Sequence, residues 1–224
     1  MGSRKQKLKR RVIIIASVIL AIGLGAFIIV MIKDQTYHHS AAYRRDATPP
    51  TKTAVIYFSR SGNTEAFARS IARATDAKII KLHAPRYSLD FSGWYRASRD
   101  AQNRNADATV KPARVELGKY KLVFLGSPIW FYRPSPPLWT FVKGNDFRGT
   151  KVVLFNTFNS RFKAEHIDTF KRLIEKKGGQ FIDHIHVRRG RVPMQKSESE
   201  LISEFGTIIK GKIKGWRAHL RPAS

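Results

Sequence analysis

Six consecutive residues, Ser59-Arg60-Ser61-Gly62-Asn63-Thr64, set three hydroxyls, a side-chain amide and a glycine between an apolar run, TAVIYF, and a helical pattern, EAFARSIARAT. A segment of this kind presents bare backbone N–H groups at the start of a helix, where the macrodipole favours an anion. The hydroxyls and the amide add further donors at the same place. The chemistry this composition suits is the grip of a phosphate monoester without a metal. A helix cap accounts for one such residue but not for five. A Walker loop requires Gly-x4-Gly-Lys-Ser/Thr and a dinucleotide fold requires Gly-x-Gly-x-x-Gly; neither string occurs.

A second segment, GSPIWFYRPSPPLWTFV at 126–142, follows another apolar run. Trp130, Phe131 and Tyr132 stand together there, just before three prolines. Aromatic rings on a proline-stiffened rim stack on a planar ligand at little cost in conformational entropy. The two segments together imply a flat heterocycle carrying a phosphate, although one or two of these rings, Phe131 among them, could equally plug the end of a sheet.

The elements that must position these loops come from periodicity. Apolar runs at 53–58, 77–82, 121–126, 151–157 and 180–187 read as strands, and 64–75, about 93–104, 136–143, 162–177 and 197–217 read as helices. Alternating strands and helices with nearly continuous apolar strands imply a parallel sheet covered on both faces, a doubly wound α/β sandwich. In such sheets ligands bind beyond the carboxyl ends of the strands, where strand order reverses. The loops after the first, third and fourth strands are therefore the places to search.

YFSRSGNTE resembles the phosphate-binding loop of the flavodoxin family, Thr/Ser-x-Ser/Thr-Gly-Asn-Thr, and GSPIWFYRPSPP resembles the Gly-Ser-Pro-Ile-Trp segment of that family's second flavin-contacting loop. The resemblance spans residues 53 to about 215 and implies a flavodoxin-like fold, five parallel strands in the order 2-1-3-4-5, with FMN as cofactor. It implies that Ser59, Ser61, Asn63 and Thr64, with backbone N–H groups from Arg60 through Gly62 to Thr64, hold the FMN phosphate. Pro128, Ile129 and Trp130 would border the isoalloxazine ring, with Phe131 or Tyr132 stacking on it. Thr157, Phe158, Asn159 and Ser160 occupy the place of the third loop. That loop is usually glycine-rich in the family, whereas Phe158, Asn159 and Arg161 are bulky, and Arg133 stands near where relatives often have a glycine.

Ahead of the domain, Val12 to Ile32 is an uncharged run whose helix would be about 31 Å long, matching a hydrocarbon core of roughly 30 Å. A secretory signal has a shorter apolar region and a small-x-small cleavage site, so an uncleaved transmembrane anchor is expected. Six Lys/Arg lie in residues 1–11, against Lys33, Arg44, Arg45 and Lys52 after the span. The positive-inside rule leans to a cytoplasmic N-terminus and an extracytoplasmic domain, in a bacterial-type inner membrane. The expected organisation is a basic segment 1–11, the anchor 12–32, a polar linker 33–52 ending in Pro49-Pro50, the domain 53–217 and a tail 218–224. His38 and His39 in the linker are read as solvated rather than metal-ligating.

The chain has 224 residues and a formal net charge of +26, from 42 Lys+Arg against 16 Asp+Glu, with no cysteine. Cysteine nucleophiles, disulfides, thiolate zinc sites and iron–sulfur clusters are excluded. The charge draws polyanions, and the expected partners are the bilayer, anionic lipid or an acidic redox protein; no nucleic-acid recognition motif is present. His184 and His186 share one face of a strand, but no third metal ligand is placed beside them. The segment RRGR at 188–191 is basic enough to touch phosphates, while Leu201, Phe205, Ile208, Ile209 and Trp216 give the last helix an apolar face.

The functional expectation is an anchored FMN protein in electron transfer, exchanging electrons with a quinone or a membrane-bound partner. Two alternatives stay open: an NAD(P)H-dependent flavin or quinone reductase, and a flavin-free scaffold of the same fold. Carrier and FMN-dependent oxidoreductase are not separated by any string in the sequence.

Overall fold

The computed structural model describes residues 2–45, 50–103 and 107–220. Met1, Pro49, the last position of the expected second helix and residues 221–224 of the tail lie outside the described residues. The chain divides into two compact units, Met1–Thr36 and Tyr37–Ser224.

The first unit is one helix, α1, Gly2–Gln35. Its Arg4–Lys33 stretch is long and apolar enough to cross a membrane.

The second unit is a doubly wound sandwich. Strands β1 (Thr53–Phe58), β2 (Lys78–Leu82), β3 (Leu122–Trp130), β5 (Lys151–Phe158) and β6 (Gln180–Arg188) are parallel neighbours in the order β2-β1-β3-β5-β6. Counting parallel strands alone, this is the expected order 2-1-3-4-5. The sixth strand, β4 (Arg133–Pro134), is a short antiparallel return against β3. β1 is buried at all six positions because helices cover both of its faces.

On one face, α2 (Asn63–Thr75) and α6 (Glu198–Ala218) pack together over Val55, Tyr57, Phe124 and Phe155. Phe67 of α2 and Phe205 of α6 stack with centroids 4.3 Å apart and planes 7° from parallel. Gly126 makes room for this layer: a Cβ there would sit 1.9 Å from the ring of Phe155. On the other face, α3 (Phe91–Gln102), α4 (Pro136–Gly144) and α5 (Ala164–Lys176) cover Ile56, Val123, Leu125 and Leu154. Asp90 caps α3 by accepting from the Gly93 N–H, so that helix begins two residues earlier than its periodicity suggests. Ser197 and Glu200 close a reciprocal capping box at the start of α6.

Two stretches differ from the sequence reading. Pro128, Ile129 and Trp130 do not form a loop after the third strand; they extend β3, which folds back at Phe131-Tyr132 into β4. Both turn residues have positive φ, 44° and 71°, the backbone of a tight hairpin normally built from Asn and Gly. The other stretch is Tyr37–Arg45, read as a polar linker, which lies as a strap along α2. Tyr37 Oη donates to Glu65, Arg69 donates to the Ser40 carbonyl and Oγ, and Arg73 donates to the Ala42 carbonyl. Tyr43 Oη donates to the Ala77 carbonyl, and Arg45 pairs with Asp76 at 2.9 Å.

Candidate functional site

β1 ends at Phe58 and α2 begins at Asn63, so Ser59 to Gly62 make the turn between them. Gly62 sits at φ 92°, ψ −25°, and no side chain caps the helix. This left-handed geometry favours glycine, and a Cβ at Gly62 would lie 2.0 Å from the His38 carbonyl oxygen. The His38 N–H in turn donates to the Ser61 carbonyl at 2.9 Å. The strap therefore closes over the outside of the loop.

The Gly62 N–H is satisfied by Ser59 Oγ at 3.1 Å. Among the described residues the backbone N–H groups of Ser61, Asn63 and Thr64 meet no acceptor. Thr64 Oγ1, on a side chain only 2% exposed, shares a 2.8 Å hydrogen bond with Thr157 Oγ1 at the end of β5. Asn63 Nδ2 reaches Ser61 Oγ at 3.3 Å. Three uncommitted N–H groups, one in the turn and two on the first turn of the helix it opens, flanked by hydroxyls, fit a phosphate in both charge and hydrogen-bond count. Arg60 contributes backbone only, because its guanidinium donates to the Ser88 carbonyl at 3.1 Å and the Asp90 carbonyl at 3.4 Å.

A carboxylate in the first turn would oppose an anion, and Glu65 stands there. It is neutralised by Lys81 at 2.7 Å and by Arg69, and it accepts from Tyr37. Burial pushes its pKa up, but the hydrogen bonds from Lys81 and Tyr37 and the charges of Lys81 and Arg69 outweigh that and leave it below the usual glutamate value. The carboxylate is thus ionised and compensated beside the loop.

The second segment separates into inward and outward residues. Trp130 packs edge-on to Phe58 (centroids 5.6 Å) and Tyr87 (5.3 Å), and Ile129 is buried. Phe131 at the hairpin tip is 48% exposed. The Tyr132 ring lies beneath the Arg161 guanidinium (5.3 Å) and the Lys163 ammonium (5.9 Å) of the third loop, and its carbonyl accepts the Lys163 N–H. Arg133, the departure from the family glycine, stacks on Trp139 at 4.6 Å. In the third loop Thr157 faces Thr64, Phe158 is buried against Phe162 and His186, and Asn159 is exposed. The bulk of Phe158 is spent in the core rather than in the phosphate loop.

Beneath the second loop runs a partly buried chain of hydrogen bonds that sequence patterns did not disclose. Asn156 Nδ2 donates to the Ser127 carbonyl at 2.8 Å, and Asn156 Oδ1 is 3.0 Å from His184 Nε2. The amide orientation makes Oδ1 the acceptor, so His184 carries its proton on Nε2. Burial, then the neighbouring His186, push the His184 pKa down to about 4, which keeps it neutral. No group of three or more residues able to hold a metal occurs among the described residues.

A family model described as flavodoxin matches residues 52–187. The chain belongs to the flavodoxin family. Among solved structures, this chain is similar to a protein described as a flavoprotein from Bacteroides uniformis (20% identity, 70% of this chain and 98% of that one, TM-score 0.57). A second, from Bacteroides eggerthii, also 20% identical, matches over 72% of this chain and 99% of that one, with a TM-score of 0.53. A flavoprotein from Lactobacillus acidophilus, solved in complex with FMN, is 20% identical over 61% of this chain and 93% of that one, with a TM-score of 0.49. No curated protein matches the chain. At these identities the likenesses speak for the fold alone.

The family motif accounts for Ser59 to Thr64, the second segment and Thr157. It does not account for the strap, whose arginine-to-carbonyl contacts no sequence pattern marks.

Proposed function

We propose that this member of the flavodoxin family is a membrane-anchored FMN protein that passes electrons to or from a quinone or a membrane-bound redox partner. FMN supplies the one- and two-electron chemistry when bound. The chain's part is to hold and orient it. The N–H groups of Ser61, Asn63 and Thr64 and the hydroxyls of Ser59, Ser61 and Thr64 take the phosphate, while Pro128 to Trp130 and Tyr132 border the ring. The observation that carries this reading is the set of three N–H groups without acceptors at the start of α2, beside the buried Thr64–Thr157 pair.

α1 anchors the chain, with its basic N-terminal residues in the cytoplasm and the domain on the far side. The high positive charge of the whole chain selects a partner with acidic surface, and that association weakens steeply as salt rises.

A second reading is favoured by one feature, the bulky Phe158, Asn159 and Arg161 in place of a glycine-rich third loop: a flavin-free scaffold tethered at the membrane. The absorption spectrum of the purified full-length chain, with and without added FMN, separates the two. The FMN reading expects a yellow protein that is bleached by Asn63→Ala combined with Thr64→Val. A colourless protein that gains no flavin band on addition of FMN would establish the scaffold instead.

A further inference from the structure

The end of the sheet opposite the phosphate loop carries an unexplained concentration of positive charge. β1, β2, β3 and β5 are each entered at a lysine, namely Lys52, Lys78, Lys121 and Lys151. They are neighbours: the Lys121 N–H donates to the Lys52 carbonyl at 2.8 Å, the Lys151 N–H donates to the Lys121 carbonyl at 2.9 Å, and Lys78 pairs in register with Ala54. Adjacent strands stand about 5 Å apart, so these like charges repel one another across the sheet edge, a cost that packing does not require at exposed positions.

A cavity of about 560 Å³ opens at this edge, walled by Arg44, Lys52, Lys78 and Lys119 with Tyr43 and Tyr120. That volume lies within the range of small-molecule sites, roughly 300–1,000 Å³. Among the described residues, none lining it is acidic. Arg45, which also lines it, is matched by Asp76, and Lys119 pairs with an exposed glutamate, Glu116, at 3.5 Å. Among the described residues no carboxylate lies within ion-pair distance of Arg44, Lys52 or Lys78. A single carboxylate would leave most of this charge uncompensated, whereas an anion with two or more charges would match it.

We propose that this cavity is a second anion site, which binds the phosphoryl group or groups of a polyanion, either an anionic lipid headgroup or a soluble phosphorylated compound. It is distinct from the FMN phosphate site. β1 separates the two, and a strand of its length spans about 20 Å. The cations contribute attraction that salt screens, and the tyrosine rings give the site a wall against which the carbon part of the ligand rests.

The test is calorimetric titration of the full-length protein, in neutral detergent and with FMN present, using inorganic pyrophosphate as the probe. Saturable binding is expected, weakened at least tenfold in Lys52→Gln/Lys78→Gln and reduced in part by Lys78→Gln alone. Lys176→Gln/Lys210→Gln removes the same charge from helix surfaces and is expected to leave binding unchanged. Repeating the titration in phosphatidylglycerol nanodiscs and in phosphatidylcholine nanodiscs identifies the source. Suppression only by phosphatidylglycerol marks a headgroup site, and equal binding in both marks a soluble ligand. No saturable binding, or an equal loss in the Lys176/Lys210 control, would overturn the proposal.

Discussion

Thr64 on the first turn of α2 and Thr157 at the end of β5 share a hydrogen bond of 2.8 Å across 93 residues of sequence. The bond joins the first and third loops of the site. Whichever hydroxyl donates, its hydrogen is spent within the pair, so one hydroxyl hydrogen remains for a ligand.

Replacing one partner alone strands the other. Thr64→Val leaves the Thr157 hydroxyl buried and unpaired, at a cost of about 1–3 kcal/mol in unfolding free energy. Thr64→Val/Thr157→Val is expected to recover part of that stability in denaturant titrations. The double variant does not recover FMN affinity, which falls roughly tenfold or more with the lost phosphate hydrogen bond. Restored affinity in the double variant would remove Thr64 from the phosphate site.

Gly62→Ala combines a left-handed backbone with a collision against the His38 carbonyl. The conformational term alone is about 1 kcal/mol, and the collision must displace the strap. Hydrogen exchange over residues 37–45 is expected to accelerate selectively, with lower melting temperature. Unchanged protection of the strap would show that it does not rest on the loop.

Glu65 links the strap to α2, and its folded pKa lies below its unfolded value of about 4.3. A depressed carboxylate contributes stability that is fully present above the unfolded pKa and is lost as pH falls through the folded one. Acid unfolding of the wild type below about pH 4.3 is expected to include this loss, and Glu65→Gln, less stable at neutral pH, is expected to show a shallower acid limb. Parallel acid limbs would contradict the assignment.

His184 behaves in the same sense at higher pH. Its folded value, about 4, lies below the unfolded value of about 6.5. Unfolding therefore takes up a proton between these limits, and the contribution present above pH 6.5 is lost as pH falls towards 4. His184→Gln retains an N–H donor for Asn156 and does not titrate, so its stability is expected to vary less over that window. The imidazole shift followed by NMR checks the value directly: titration near 6.5 would contradict the buried neutral form.

What was legible in the sequence follows from the kind of signal each element leaves. β1, β5 and α2 announce themselves because burial demands an unbroken or periodic apolar pattern, and the phosphate loop because polar residues interrupt that pattern abruptly. The parallel order follows from the flavodoxin resemblance. The strap left no such trace, since it is held by Tyr hydroxyls and by arginines donating to backbone carbonyls, contacts that carry no periodicity. The hairpin at Phe131-Tyr132 was hidden for another reason. Its positive φ values are borne by two aromatic residues, so the usual turn residues are missing and the extension of β3 reads as a loop. The Ser127–Asn156–His184 chain of hydrogen bonds is equally silent, being three polar residues on separate elements.

The central claim is that backbone and hydroxyl donors of residues 59–64 hold a phosphate, and comparing FMN with riboflavin tests it most directly, since the two differ only in that group. Fluorescence quenching titrations of the full-length protein are expected to show FMN bound at least a hundredfold more tightly than riboflavin, with inorganic phosphate weakening FMN alone. Equal affinities for the two, or no binding of either, would contradict the account.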